Sequence, residues 1–252
     1  MSLEACARLV ERGDPDRFLT VRAAPLWARE QLLPLYAFNL EVARAPWVTQ
    51  EPLIAEMRLQ FWRDVVTEDS PRAHEVAGPL QALIRDAGLP VAVLDRLVAA
   101  RRWDVWREPF EDRAAFDGYI QETAGGLMWL AARALGAPDG AEAAVRAYGW
   151  AAGLANFLRA VPELEARGRH PLPEGVAVAD LAQAGLDRLA QARAARATVP
   201  RGLAPALLAG WQAGGLLALA ARDPAAVTEG RLHLPEFRRR GGLLWQALTG
   251  RW

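Results

Sequence analysis

Apolar residues recur at helical spacing along most of this 252-residue chain. The segment 51–68 shows the pattern, because Pro52 suits the first turn of a helix and apolar side chains then repeat every three or four residues. These side chains are Ile54, Met57, Phe61 and Val65. We expect a helix here whose apolar stripe faces a core.

Residues that favour β-strands are scarce. Isoleucine occurs three times and tyrosine three times, whereas Ala, Leu, Arg and Glu dominate. This composition predicts an all-α fold. The predicted helices are 26–44, 51–68, 72–87, 90–107, 112–135, 139–160, 177–196, 203–221 and 235–249.

Proline and glycine fall between the helical patterns rather than at one domain boundary, and no internal repeat is visible, so we expect a single domain over residues 1–252.

Thirty basic residues balance thirty acidic ones, which argues against a nucleic-acid partner. The sequence has no lysine, so every permanently charged basic side chain is Arg. The single Cys6 excludes a disulfide framework, and the first residues lack an apolar signal core. These features favour a cytoplasmic protein.

Two apolar segments leave alternatives open. Residues 202–221 carry no charge over a length that could cross a bilayer, but their many Ala and Gly residues favour a buried helix, kinked or split near Pro205. The final segment, 235–252, combines three consecutive arginines, Arg238–Arg240, with the apolar residues Leu243, Leu244, Trp245, Leu248 and Trp252. It could lie on an anionic membrane or dock on the domain with its arginines in water.

Other catalytic and metal-binding patterns are absent. The sequence has no P-loop, no nucleophile elbow and no His-Glu-x-x-His motif, and its three histidines show no metal-ligand spacing.

Gly125 and Gly126 lie within the predicted helix 112–135, where each costs about 1 kcal/mol relative to Ala. They suggest close approach by a neighbouring helix or by a ligand.

Six pieces of the chain, in order, resemble the squalene/phytoene synthase family. They are Asp16–Phe18, LPLYAFNLEVA at 33–43, MRLQFWRDVV at 57–66, RRWDVWREPF at 101–110, YIQETAGGLMWLAARALG at 119–136 and GLANFLRAVPELEARGRHPLP at 153–173. The resemblance implies an isoprenoid-synthase helical bundle around a central apolar cavity. It also implies that active members join two prenyl diphosphates, using aspartates on two helices to hold magnesium.

The aspartates of the first family motif are missing. Where active relatives resemble FCREVDDVVD, this chain reads FNLEVARAPW at 38–47. Ala43, Arg44 and Trp47 therefore replace the aspartates, and Pro46 interrupts the helix. Glu41 is the only residual acid in this motif.

The second family motif has lost its aspartates as well. Where relatives resemble NILRDVGED, this chain reads NFLRAVPEL at 156–164, with Ala160 and Leu164 in the aspartate positions. Glu163 remains, beside Pro162. Because ionising an allylic diphosphate needs metal to neutralise the leaving group, we predict no catalytic residues and no metal site, with Glu41 and Glu163 as the only residual metal candidates.

Arginines accompany the retained motif positions and could hold a diphosphate or a lipid headgroup without metal. Each of them alone could equally be a solvated charge or a salt-bridge partner. The ligand-binding residues predicted from the resemblance are Tyr36, Arg44, Arg58, Arg63, Tyr119, Gly125, Asn156, Arg159 and Arg169.

The segment 37–66 most resembles a degenerate branch of the family whose mitochondrial members resemble complex I assembly factors. We therefore expect a non-catalytic homologue that binds a prenyl-type or lipid ligand, acts as an accessory protein at the cytoplasmic face of the inner membrane and needs no cofactor. Its partner would be a respiratory-complex subunit. The alternatives are an active head-to-head prenyltransferase using magnesium, and an interaction protein whose cavity is filled by side chains.

Overall fold

The computed structural model describes residues 3–68, 70, 72–106 and 108–252. Within these residues all regular structure is helical, which confirms the all-α prediction. The α-helices are α1 Leu3–Gly13, α2 Pro15–Ala23, α3 Leu26–Arg44, α4 Pro52–Thr67, α5 Ala77–Ala87, α6 Val91–Ala100, α7 Arg102–Trp106, α8 Arg113–Ile120, α9 Gly126–Ala134, α10 Glu142–Ala166, α11 Val178–Ala194, α12 Ala204–Leu207, α13 Ala213–Arg222, α14 Ala225–Thr228 and α15 Glu236–Thr249.

The 25-residue helix α10 is central and packs against α9, α11, α13 and the π-helical turn Gln121–Gly125. Glycines bring this turn and α10 together. A Cβ added at Gly153 would lie 2.2 Å from the Cβ of Ala124, and one at Gly125 would lie 3.3 Å from the carbonyl oxygen of Arg146. Gly125 of the predicted helix 112–135 therefore serves the approach of a neighbouring helix, whereas a Cβ at Gly126 would lie at an ordinary contact distance of 3.5 Å from Val93.

The two N-terminal helices, α1 and α2, were not predicted because they are short and rich in charge. Helix α1 packs on α3 through Cys6 and Val10, which are fully buried. Burial raises the pKa of the Cys6 thiol to about 11. Helix α2 begins where the Asp14 carboxylate accepts the backbone N–H of Arg17 at 2.9 Å, with Pro15 in the first turn.

The predicted core stripe of α4 is wrong in its first half. Ile54 and Met57 are 40% and 72% exposed, whereas the buried face carries Ala55, Leu59, Trp62, Val65 and Val66. Spacing alone could not distinguish these two overlapping faces, and the bulky aromatic Trp62 decides between them. The N-terminal end of α4 consequently presents apolar side chains to solvent.

The predicted segment 26–44 coincides with α3, but other segments are broken. The segment predicted over 90–107 is broken into α6 and α7, with its last residue outside the described part of the chain. Residues 112–135 form α8, the π-turn and α9, and the helix predicted from residue 72 begins at Ala77. Residues 203–221 form α12, a 3-10 turn and α13, so the predicted split near Pro205 is confirmed.

Arg201–Arg222 is the one helical stretch of the described chain that is long and apolar enough to cross a membrane. Of its most apolar window, 56% is buried inside the fold. Helix α13 packs on α10 and α11, with Leu216 and Leu217 buried. This packing favours the core-helix interpretation over a membrane span.

Candidate functional site

The first family motif lies at the end of α3. The α-helix ends at Arg44, and Pro46 stands in the 3-10 turn Ala45–Trp47 that follows. This confirms the predicted interruption. The Arg44 guanidinium donates to the Glu41 carboxylate at 3.0 Å, so the residual acid of this motif is paired within its own helix.

The second motif lies near the C-terminal end of α10, which continues through Pro162 to Ala166. Pro162 therefore does not end the helix, although it cannot donate the backbone hydrogen bond that other residues would make. Glu163 is exposed, and its carboxylate accepts a hydrogen bond from Arg167 one helical turn later at 2.5 Å.

The end of the first motif contacts the residues that follow the second motif. The Arg167 guanidinium carbon lies 4.7 Å above the centroid of the Trp47 ring, so a cation–π contact joins the first motif to the residue that holds Glu163. Trp47 occupies a family aspartate position. The side chain in this aspartate position therefore contacts an arginine of α10's C-terminal end.

These residues do not fit magnesium. The ion takes hard oxygen ligands in octahedral geometry, and the two residual carboxylates are each committed to an arginine. Across residues 3–68, 70, 72–106 and 108–252, no three His, Cys, Asp or Glu side chains are grouped so as to hold a metal ion. Positive charge that could neutralise a bound diphosphate must therefore be supplied by other side chains of the protein.

An open cleft of about 880 Å³ lies between α2, α10, α15 and residues 209–213. Its arginines are Arg17, Arg22, Arg159 and Arg239, and its acids are Glu11, Asp14 and Asp16. Asn156 of the second motif lies in its wall. Guanidinium groups from three separate helices therefore converge on one solvent-accessible space.

Asp16 organises this cleft. Its carboxylate accepts from the Arg159 guanidinium at 3.1 Å and from the Gln212 amide at 2.9 Å, and its other oxygen lies 3.4 Å from Arg239. The side chains of Asp16 and Arg159 are 22% and 35% exposed. An anion entering the cleft would compete with Asp16 for the same donors.

A small pocket of about 30 Å³ adjoins the cleft between α3, α9 and α10. Asn156 and Arg17 line both spaces. The pocket is large enough for about one water and too small for a prenyl chain, because the close approach of the π-turn to α10 leaves little room. At this point side chains fill the bundle interior.

Tyr36 points a buried hydroxyl toward this pocket, and the hydroxyl has no hydrogen-bond partner among the described residues. Burial raises the pKa of Tyr36 to about 12, while the Arg17 guanidinium, 4.8 Å from the ring centroid, opposes that shift. An unpaired buried hydroxyl favours an ordered water or a polar ligand group at this position.

Tyr119 and Arg169 lie elsewhere, in a buried cluster around Asp104. The Tyr119 hydroxyl donates to the Asp104 carboxylate at 2.9 Å and accepts from Arg101 at 2.8 Å. Arg169 donates to the backbone carbonyls of Asp104 and Trp103 at 2.8 and 3.1 Å, with its guanidinium 4.2 Å from the Trp103 ring centroid. Burial raises the pKa of the Asp104 carboxyl, while Arg101 and Tyr119 oppose the shift.

The remaining predicted arginines are spread over the surface. Arg63 binds Asp95 through two nitrogens at 2.6 and 3.1 Å, which ties α4 to α6. Arg58 is exposed on α4, and Arg44 is exposed beside Glu41. Asn156 and Arg159 are therefore the predicted residues that line the cleft, and Tyr36 lines the small pocket beside it.

Sequence reasoning missed Arg22, Gln212 and Arg239 as cleft residues. Arg239 is one of three consecutive arginines, and nothing in their order shows which of them turns inward. The sequence feature that pointed toward the cleft is the piece Asp16–Phe18, which resembles the family and whose three residues all lie in the cleft wall.

Solved structures share this fold. A dehydrosqualene synthase in complex with a ligand superposes with a TM-score of 0.78 and 16% identity, covering 98% of this chain and 95% of that one. The squalene synthase HpnC from Alicyclobacillus acidocaldarius gives a TM-score of 0.73 and 18% identity, covering 88% of this chain and 94% of that one. At these identities the likeness establishes the isoprenoid-synthase fold.

Curated relatives share sequence as well. NADH dehydrogenase (ubiquinone) complex I, assembly factor 6 from Mus musculus is 28% identical over 69% of this chain and 53% of its own length. Its homologue from Drosophila melanogaster is 34% identical over 62% of this chain and 50% of its own length. The chain thus spans about half the length of the curated relatives that it matches. The family model for squalene/phytoene synthase matches residues 10–179, and the chain belongs to the squalene/phytoene synthase family.

Proposed function

We propose that this chain is a non-catalytic family member that binds the anionic head of a prenyl-type or lipid ligand in its arginine-lined cleft and acts as an accessory or assembly protein at a membrane. The observation that carries the proposal is the contact between Trp47 and Arg167. Trp47 stands in a family aspartate position, and its indole contacts the guanidinium of the residue that pairs with Glu163, the residual acid of the second motif.

The chemistry separates binding from turnover. Ionising an allylic diphosphate requires that the departing anion be neutralised at once, which a family enzyme does with metal ions. A guanidinium group can bind a phosphate through two parallel hydrogen bonds, and it keeps its positive charge at any physiological pH. The cleft arginines can therefore hold a diphosphate or phosphate ester without a cofactor.

The assembly role is supported by the relatives named as complex I assembly factor 6. We propose a respiratory-complex subunit as the partner and the cytoplasmic face of the inner membrane as the place of action. Loss of the gene should lower the amount of assembled respiratory complex seen on native gels. An unchanged amount would contradict the assembly role.

A binding and turnover experiment tests the ligand. Purified protein is titrated with inorganic pyrophosphate and with farnesyl and geranylgeranyl diphosphate, in magnesium and in EDTA, and released diphosphate is measured. We expect binding that persists in EDTA and no release in either buffer. Diphosphate release with an apolar product, abolished by EDTA, would instead establish the head-to-head prenyltransferase.

A further inference from the structure

Helix α15 is fixed to the body of the protein along one face. Arg239 reaches the Asp16 carboxylate at 3.4 Å, and the Trp211 indole donates to the Arg239 carbonyl at 3.1 Å. Gln246, two turns later, is buried and donates to the Trp211 carbonyl at 3.4 Å. The helix is therefore held in a defined orientation, and its opposite face is presented to solvent.

That opposite face is apolar. Phe237, Leu244 and Leu248 are 86%, 61% and 78% exposed, and Trp245 is 51% exposed. At about 100° per residue, the first three point within about 40° of one another. They form a stripe about 16 Å long, taking 1.5 Å per residue. We call these four residues the α15 stripe.

Arginines lie on both sides of the stripe. Arg238 is about 100° from Phe237 in one direction and Arg240 about 60° in the other, and both are exposed. Helix α15 contains three arginines and a single acid, Glu236, which pairs with Arg240 at 2.5 Å. An apolar strip between cationic side chains matches the boundary of an anionic bilayer, where acyl chains lie below negative headgroups.

We propose that the α15 stripe docks this protein on the surface of an anionic lipid bilayer, with the apolar side chains among the upper acyl chains and Arg238 and Arg240 at the lipid phosphates. The proposal rests on the proposed function and deepens it by naming the surface that meets the membrane. The same helix supplies Arg239 to the cleft, so docking would place the anion-binding cleft beside the headgroups.

Vesicle flotation tests the proposal with the full chain. Vesicles of phosphatidylcholine alone are compared with vesicles containing about a third phosphatidylglycerol, whose negative surface potential should attract α15. We expect binding to the anionic vesicles and little to the neutral ones. F237Q/L248Q should lower the partition coefficient about tenfold or more, because two exposed apolar side chains no longer leave water.

The control variant is L53Q/M57Q on α4. Leu53 and Met57 are each 72% exposed, so this pair removes a similar apolar area from another surface and should leave flotation unchanged. R238Q/R240Q should lower binding to anionic vesicles about tenfold and remove its dependence on salt.

Three outcomes would overturn the proposal. They are absence of binding by the unmodified protein, equal loss in the α4 control, and unchanged flotation of F237Q/L248Q. If the protein ignores vesicles but the stripe is needed to hold a respiratory-complex subunit, the stripe is a protein interface instead. Pyrophosphate titration of the same samples reports the cleft separately, so a failure of docking does not imply a failure of the proposed ligand site.

Discussion

Two aspartates in this fold each lie among arginines, and they differ in their access to water. The side chain of Asp16 is 22% exposed and faces Arg159 and Arg239 across an open cleft. The side chain of Asp104 is 6% exposed and lies against Arg101 and Tyr119 in the interior. Both residues fall in pieces of the sequence that resemble the family.

The difference lies in the solvent around each pair. In the cleft, water screens the ion pairs, and the arginines can exchange Asp16 for another anion at small cost. In the interior, the charges depend on one another, because an unpaired buried charge is strongly unfavourable. The same residue types therefore make an exchangeable binding site in one place and a structural cluster in the other.

The largest expected effect is on stability, at Asp104. Asp104→Ala should lower the free energy of unfolding by about 3 to 5 kcal/mol, because Arg101 loses its buried counter-charge. Asp16→Ala, the matched change in the cleft, should cost less than about 1 kcal/mol. Urea unfolding followed by circular dichroism measures both. Equal losses would show that burial does not separate the two clusters.

The second effect is on anion binding at Arg159. Arg159→Ala should weaken pyrophosphate binding about tenfold, the value of one charged hydrogen bond. Arg44→Ala removes an equally charged and more exposed side chain outside the cleft and should leave the affinity unchanged. Isothermal titration calorimetry in EDTA measures both variants. A larger loss with Arg44→Ala would place the ligand at the motif ends instead.

A smaller effect of opposite sign is expected at Asp16. Asp16→Asn should strengthen pyrophosphate binding about threefold, because the anion no longer competes with a carboxylate for Arg159 and Arg239. The gain should shrink as ionic strength rises. Weaker binding in this variant would mean that Asp16 orients the arginines more than it competes for them.

The smallest expected effect is that of rebuilding the missing acids. The variant A43D/W47D/A160D/L164D should still release no diphosphate, because α3 ends at Arg44 and Pro46 keeps position 47 off the helix. Product analysis with farnesyl diphosphate and magnesium provides the measurement. Turnover in this variant would show that the scaffold lacks only its ligands.

The sequence predicted α3 well because its apolar pattern is long and its ends are marked by Pro25 and Pro46. It predicted the wrong face for the first half of α4, since Ile54 and Met57 share helical spacing with Phe61 and Val65 but are 40% and 72% exposed in the fold. The spacing of apolar residues identifies a helix. Tertiary packing decides which face is buried.

The cleft could be predicted only in part. Asn156 and Arg159 followed from the second motif, but the cleft also needs residues far apart in the chain. Asp16 meets Arg159 across 143 positions and Gln212 across 196. Arg169 shows the opposite error. Its position beside a motif predicts a ligand-binding charge, whereas the fold buries it in the core.

The buried Cys6 gives this protein a built-in reporter of local opening. It is the sole sulfhydryl of the chain, and while α1 rests on α3 it is shielded and protonated at neutral pH. A thiol-alkylating dye should therefore react only with molecules in which α1 has detached from α3. The labelling rate would measure how often that happens without any engineered probe.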